Sequence, residues 1–284
     1  MPLNRSIKAL LSQAASRIDS DSPRLDAEIL LAQVLGKPRS FLFAWPEHTP
    51  TPEQISAFQQ LVHRREAGEP VAYLVGEQEF WSLPLKVSAD VLIPRPETER
   101  LVELALERHP HASGQVLELG TGSGAISIAL ASERPGWQLL ATDRSTQALD
   151  IAHHNAARHR LENISFIEGS WYAPISGARQ FDLIISNPPY VRADDPHLAK
   201  GDVRFEPAQA LVSGKSGLDA IHDIAAGAAD FLRHGGWLMV EHGHDQASDV
   251  RAIFDAAGLT QVHSETDLAG HERVTLGRSR CKQA

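Results

Sequence analysis

Asn187-Pro188-Pro189-Tyr190 brings acceptors and an aromatic face together at one point of the chain. The tetrapeptide follows Phe181-Asp182-Leu183-Ile184-Ile185-Ser186, an apolar run that reads as a buried strand, so it falls where a strand leaves its sheet. Consecutive prolines fix φ and remove two backbone N–H donors while leaving their carbonyls free to accept. The Asn187 side chain adds another carbonyl, and Tyr190 adds a flat ring. Such a site suits a planar group carrying an –NH2, either a carboxamide or the exocyclic amine of a base. Taken alone, it equally suits a strand stopped by turn residues.

A second constellation lies upstream. Val116-Leu117-Glu118-Leu119 runs into Gly120-Thr121-Gly122-Ser123-Gly124, and a helix begins near Ala125-Ile126-Ser127. Glycines there let the backbone turn tightly and admit a ligand where a Cβ would stand. Structural turns and phosphate sites use the same pattern, and with Ala125 as the third glycine it also fits a dinucleotide loop. Asp143 ends the next strand pattern, where a carboxylate can accept from both ribose hydroxyls of an adenosine or simply cap the following helix. Trp171, in Glu168-Gly169-Ser170-Trp171 after the third strand pattern, can wall off an adenine or serve as a core residue.

These residues need a frame that brings strand ends together. Strand patterns at 115–119, 137–142, 163–168, 181–186 and 236–241 alternate with helical patterns, and further β patterns lie near 259–264 and 272–277. That rhythm predicts an α/β fold: a mostly parallel sheet covered by helices on both faces. Residues 1–75 read as helical. Ser22-Pro23 is an N-cap with Pro at the first helical position, and Gly36 closes that helix, whose apolar face is Leu25, Ile29, Leu30 and Val34. Thr51 and Gln54 have capping-box spacing, ahead of a helix lined by Ile55, Phe58, Leu61 and Val62 and ended by Gly68. Between these regions, Phe80-Trp81, Leu83, Leu85 and Val87 alternate as in a short hairpin. The expected division is a helical domain over 1–75, a hairpin linker over 76–95 and the α/β domain over 96–284.

The formal charge of −9 over 284 residues disfavours a duplex nucleic acid as main partner, because phosphate neutralisation needs a basic surface. Residues 1–75 carry eight Lys and Arg against eight Asp and Glu, which suits protein docking better than a nucleic-acid clamp. No run reaches membrane-spanning length, the first residues lack an apolar signal core, and Cys281 is the single cysteine. A cytoplasmic protein without membrane association is expected.

The glycine loop, Asp143 and Asn187-Pro188-Pro189-Tyr190 together resemble a class I S-adenosylmethionine-dependent methyltransferase acting on amino nitrogens. Ile93-Pro94-Arg95-Pro96-Glu97-Thr98-Glu99 and Arg204-Phe205-Glu206-Pro207, with the helical N-terminal region, narrow the resemblance. They are similar to the HemK/PrmC-type glutamine methyltransferases that modify bacterial peptide-chain release factors, over nearly the whole chain. The resemblance implies a Rossmann-like domain with a seven-stranded, mostly parallel sheet and a small all-α N-terminal domain. It implies S-adenosylmethionine as methyl donor, held by Gly120, Thr121, Gly122, Ser123, Gly124, Asp143, Trp171 and Asn187. The glutamine of a Gly-Gly-Gln loop would be held by Asn187, Pro188, Pro189 and Tyr190. Asn187, Pro188 and Tyr190 would be the catalytic members, with no metal, and Arg95 and Glu206 would either shape the substrate loop or form structural ion pairs. An adenine-amine DNA methyltransferase and a glutamine methyltransferase of a ribosomal protein share the tetrapeptide. A nicotinamide dehydrogenase leaves it unexplained.

Two other motifs are decoys. Ser213-Gly214-Lys215-Ser216 ends like a phosphate loop, but Gln209 stands where that motif needs glycine. His242-Gly243-His244-Asp245 has metal-like composition without distant partners and reads as a strand-end turn.

Overall fold

The computed structural model describes residues 5–177 and 180–280, and Cys281 lies outside them. The chain forms two compact units: residues up to Glu77 with Pro196–Phe205, and Gln78–Asp195 with the residues from Glu206 onward.

The first unit is helical: α1 (Ile7–Ala15), α2 (Pro23–Leu35), α3 (Arg39–Ala44), α4 (Pro52–Glu66) and α5 (Val71–Val75). Thr51 closes the expected capping box, its hydroxyl accepting from Gln54 N–H while the Gln54 side chain accepts from Thr51 N–H. Ser22 starts α2 without a side-chain cap bond, and Gly36 ends it in the left-handed region at φ 60. The apolar face expected for α2 is corrected by about a third of a turn. Leu25 is exposed, and the buried side is Asp26, Ala27, Glu28, Leu30, Leu31 and Ala32. Ion pairs explain the acids on that side. Asp26 accepts from Arg65 at 2.8 Å, and Glu28 accepts from Arg24 and Arg39, both at 2.8 Å. Arg65 also donates to Asp202 at 2.7 Å, and Arg204 donates to the Ala67 carbonyl at 2.6 Å, which fastens Pro196–Phe205 to these helices.

A hairpin leads into the second unit, β1 (Glu77–Phe80) and β2 (Leu83–Lys86), with Glu77 still counted in the first. Trp81 and Ser82 turn it with φ of 54 and 58, the handedness that matches strand twist. Then follow α6 (Glu99–Arg108), β3 (Gly114–Leu119), α7 (Ala125–Glu133), β4 (Trp137–Asp143), α8 (Thr146–Arg158), β5 (Ile164–Glu168) and β6 (Phe181–Ser186). The chain ends with α9 (Ala208–Leu211), α10 (Asp219–Phe231), β7 (Leu232–Glu241), α11 (Ala247–Ala256), β8 (Thr260–Thr266) and β9 (Glu272–Arg278). Among the described residues, β3 to β9 build a seven-stranded sheet of order β5-β4-β3-β6-β7-β9-β8. Its first five strands are parallel, β9 runs antiparallel to β7, and β8 runs antiparallel to β9.

Both faces of the sheet are apolar, as a parallel sheet between helices requires. Val116, Leu139, Leu183, Ile185 and Met239 pack with Leu101 and Leu104 of α6 and Ile128 and Ala129 of α7. Leu117, Leu140, Ile184, Leu238 and Val240 pack on the other face with Ile221 and Ile224 of α10 and Val250 and Phe254 of α11. No helix among the described residues is long and apolar enough to cross a membrane.

Candidate active site

The sheet order reverses at β3, which lies between β4 and β6. In open α/β sheets such a reversal leaves a crevice beyond the carboxyl ends of the strands. Glu118 is in register with Ile185, and the Ser186 hydroxyl donates to the Leu119 carbonyl at 2.6 Å. The glycine loop leaving β3 and the tetrapeptide leaving β6 therefore emerge side by side. Asp143, at the end of β4, completes the rim. A cavity of about 330 Å³ opens there, within the range of small-molecule sites.

The glycine loop is shaped by backbone conformation and by Trp171. Gly120 has φ 74, and a Cβ on it would meet the Trp171 ring at an ordinary 3.4 Å contact, so it is the backbone strain that selects glycine. Trp171 is itself left-handed at φ 47, with its carbonyl accepting from the Thr142 hydroxyl at 3.1 Å. Gly124 caps α7 at φ 83. Asp143 is oriented by two amides, Oδ2 accepting from Gly122 N–H and Oδ1 from Ser145 N–H, both at 2.9 Å. Each carboxylate oxygen keeps capacity for a further donor. Ser145, rather than Asp143, caps α8.

Glu118 lines the same cavity, although the sequence reading passed over it. One of its oxygens accepts from the Thr121 hydroxyl at 2.7 Å, from Ser127 N–H at 3.1 Å and from the Ser127 hydroxyl. Burial pushes its carboxyl up to about 7; the Ser127 and Thr121 bonds oppose that rise, and the Asp143 charge adds to it. A cationic ligand group here would restore the ionised form. A lone acid in an apolar strand two residues before the first loop glycine was the available signal.

The tetrapeptide is held by residues remote in sequence. Asn187 Nδ2 donates to the Thr98 hydroxyl oxygen at 3.0 Å, while Asn187 Oδ1 is buried with no hydrogen-bond partner among the described residues. The Tyr190 carbonyl accepts from Gln246 Nε2 at 3.0 Å, and its hydroxyl lies 3.5 Å from Glu241 Oε1. Burial pushes the Tyr190 phenol up, and the neighbouring Glu241 charge acts in the same direction. The next residue, Val191, donates its N–H to the Leu211 carbonyl at 2.8 Å and accepts at its own carbonyl from Ser213 N–H at 3.0 Å. Arg95 donates to buried Glu206 at 2.5 Å.

Of the residues singled out from sequence, the cavity wall includes Gly120, Thr121, Gly122, Ser123, Asp143, Trp171, Asn187, Pro189 and Arg95. Gly124, Pro188, Tyr190 and Glu206 are not in that wall. Thr98 is, and Glu241 and Gln246 act from behind it on Tyr190. Ser213 turns out to cap the start of α10, its hydroxyl oxygen accepting from Ala220 N–H at 2.8 Å. His242 is buried with both ring nitrogens engaged, one on Thr275 at 2.8 Å and one on the Gly243 carbonyl at 2.9 Å. Among the described residues no group of His, Cys, Asp and Glu could hold a metal ion.

This donor and acceptor set fits an S-adenosylmethionine-sized ligand: an oriented carboxylate for hydroxyls, an indole wall, and a buried acid that a cationic group would ionise. Comparison with known proteins agrees with that fit. Residues 5–76 match the family model for the PrmC N-terminal domain, and residues 97–214 match that for the methyltransferase small domain. The chain is 50% identical over 275 residues to the release factor glutamine methyltransferase of Vibrio cholerae, covering 96% of each chain. It is 48% identical to that of Escherichia coli K12, covering 94% of this chain and 97% of the relative. Its fold is similar to a Thermus thermophilus 16S rRNA N2 G1207 methyltransferase solved with AdoMet and guanosine. The TM-score there is 0.52 at 17% identity, over 72% of this chain and 50% of that one.

Proposed function

The chain belongs to the release factor glutamine methyltransferase family, and on that premise we propose how its residues carry the reaction. The enzyme methylates the side-chain amide nitrogen of the glutamine in the Gly-Gly-Gln motif of a peptide-chain release factor. S-adenosylmethionine supplies a methyl group already activated on a sulfonium, so the protein's task is to place and polarise the acceptor.

An amide nitrogen is a weak nucleophile because its lone pair is delocalised into the carbonyl. Asn187 Oδ1 and the Pro188 carbonyl accept the two N–H bonds of the substrate amide and fix its plane against the donor. As nitrogen loses electron density during attack its protons become more acidic, and these acceptor bonds strengthen. Stabilisation that grows toward the transition state accelerates the chemical step. The rigid prolines keep the acceptors in place, and orientation of this kind supplies up to ~7–11 kcal/mol in favourable cases. Asp143 would hold the ribose hydroxyls, Glu118 would meet a cationic group of the donor, and Trp171 would wall the adenine side.

The observation that carries this reading is the Asn187 carboxamide: Nδ2 is committed to Thr98, which leaves Oδ1 as the acceptor. The decisive assay is methyl transfer from labelled S-adenosylmethionine to a release factor, to its Gly-Gly-Gln→Gly-Gly-Ala variant and to DNA. Label is expected on the intact factor alone. Equal label on the variant, or label on DNA only, would overturn the reading.

A further inference from the structure

Glu241 has a place in this site that the reaction as described does not use. It ends β7 at 2% exposed, and among the described residues its carboxyl is hydrogen-bonded to Tyr190 alone, at the 3.5 Å limit of hydrogen-bond length. Its Oε2 is buried with no hydrogen-bond partner among the described residues. A buried carboxyl held this weakly costs stability. The groups acting on it are Thr98 and Glu97 from the turn before α6, Arg273 from β9 and Tyr190 from the loop after β6. The Thr98 hydroxyl is near enough to lower the carboxyl, although it closes no hydrogen bond to Oε2.

Thr98 connects this acid to the tetrapeptide. Its oxygen accepts from Asn187 Nδ2 at 3.0 Å, so its single proton is directed elsewhere. An ionised Glu241 takes that proton as an acceptor and leaves the Thr98 lone pairs to Asn187 Nδ2, which fixes Oδ1 as the end offered to a substrate amide. A protonated Glu241 can donate to the Thr98 oxygen instead. The Thr98 proton is then free to meet Asn187 Oδ1, the carboxamide turns, and Nδ2 meets the substrate N–H donors.

We propose that Glu241 is a positioning residue for methyl transfer, setting through Thr98 which end of the Asn187 carboxamide is presented to the acceptor amide. The inference rests on the functional reading above. Burial raises the Glu241 carboxyl to about 7, with Glu97 adding to the rise and Thr98, Arg273 and Tyr190 opposing it. The switch therefore works within the neutral range, on above that value and off below it.

Single-turnover methyl transfer to a release factor, at saturating S-adenosylmethionine, should rise with pH through a midpoint near the Glu241 value of about 7. Glu241→Gln should abolish that limb and make the rate flat from roughly pH 6 to 9, since an amide does not titrate. Thr98→Val should slow transfer about 10- to 100-fold, the loss expected for a misdirected polar contact, and Thr98→Ser should restore most of it. Independently of turnover, the Asn187 side-chain amide resonance, identified by its loss in Asn187→Ala, should titrate in the wild type and stay fixed in Glu241→Gln. Titration of S-adenosylhomocysteine should give an affinity within about threefold of wild type for Glu241→Gln, whose side chain lies outside the cavity wall.

A pH limb that persists in Glu241→Gln, or an Asn187 resonance that ignores pH in the wild type, would overturn the proposal. If Glu241→Gln does not fold, the wild-type resonance together with the Thr98 pair decides it. Failure of the wild type to methylate the release factor at any pH would instead overturn the functional reading, and this inference with it.

Discussion

Asn187→Ala separates a functional residue from a structural one by moving rate and stability in different directions. Removing the side chain costs the Nδ2 bond to Thr98, about 0.5–1.5 kcal/mol for an ordinary hydrogen bond. It also removes the buried Oδ1, which has no partner among the described residues, and lifts a desolvation penalty of about 1–3 kcal/mol. The sum runs from roughly 0.5 kcal/mol less stable to 2.5 kcal/mol more stable, with the small space left behind reclaiming part of any gain. The Tm should therefore hold or rise, at ~2–4 °C per kcal/mol for a unit of this size. Turnover behaves differently. Loss of an acceptor aimed at developing charge costs about 10²–10³ in rate, or ~2.7–4 kcal/mol. The assay pairs single-turnover methyl transfer at saturating donor with a thermal melt and S-adenosylhomocysteine titration. A variant whose Tm falls by more than ~5 °C, with its rate per folded molecule intact, would refute the reasoning. So would a cofactor affinity that drops as far as the rate, since that places Asn187 on the donor rather than the acceptor.

Three further outcomes are expected. Asp143→Ala removes a carboxylate held by Gly122 and Ser145 amides, and should raise the S-adenosylhomocysteine Kd about 10- to 150-fold, at ~1.5–3 kcal/mol for bonds to a charged acceptor, with kcat at saturation little changed. Glu118→Gln should stabilise the free protein at pH 8 relative to pH 4 while weakening donor binding. The folded carboxyl titrates at about 7 against an ordinary 4.5, so the folded state holds the extra proton and wild-type stability declines as pH rises between those values. Each unit of that shift is worth ~1.4 kcal/mol, and pH-dependent melts of the two proteins measure the difference. Arg65→Met leaves Asp26 and Asp202 without their shared cation and should destabilise the helical unit by about 3–5 kcal/mol, whereas Asp26→Leu with Arg65→Met should recover much of it. An early transition in far-UV circular dichroism, absent from the double variant, is the expected signature.

The parts of the site that sequence exposed are those written in contiguous residues. A glycine loop, an acid at a strand tip and Asn187-Pro188-Pro189-Tyr190 each carry a local pattern, and the alternation of strands and helices placed them at one edge of a sheet. The supports did not show themselves in that way. Thr98, Glu241 and Gln246 are single polar residues 89, 51 and 56 positions from the groups they hold, so no periodicity links them. Glu118 was legible in principle and was passed over because the glycines beside it dominate the motif. On α2 the apolar stripe misled, because Asp26 and Glu28 are drawn inward by arginines, and buried ion pairs invert the usual pattern. β7 begins at Leu232, four residues earlier than its apolar run, since Gly235-Gly236 reads as a turn but lies inside a strand whose pairing shifts.

Pro196–Phe205 gives the chain an awkward pedigree as a modular protein. Ten residues inserted late in the sequence complete a unit begun at the amino end, so the polypeptide leaves the catalytic unit and returns to it just before Glu206. A gene cut after codon 77 would not release a clean catalytic module. It would strand Asp202 and Arg204 away from Arg65 and Ala67. Nor could the helical unit be grafted elsewhere from residues 1–77 alone. Two domains that share a thread in this way are expected to be inherited, exchanged and lost as one piece.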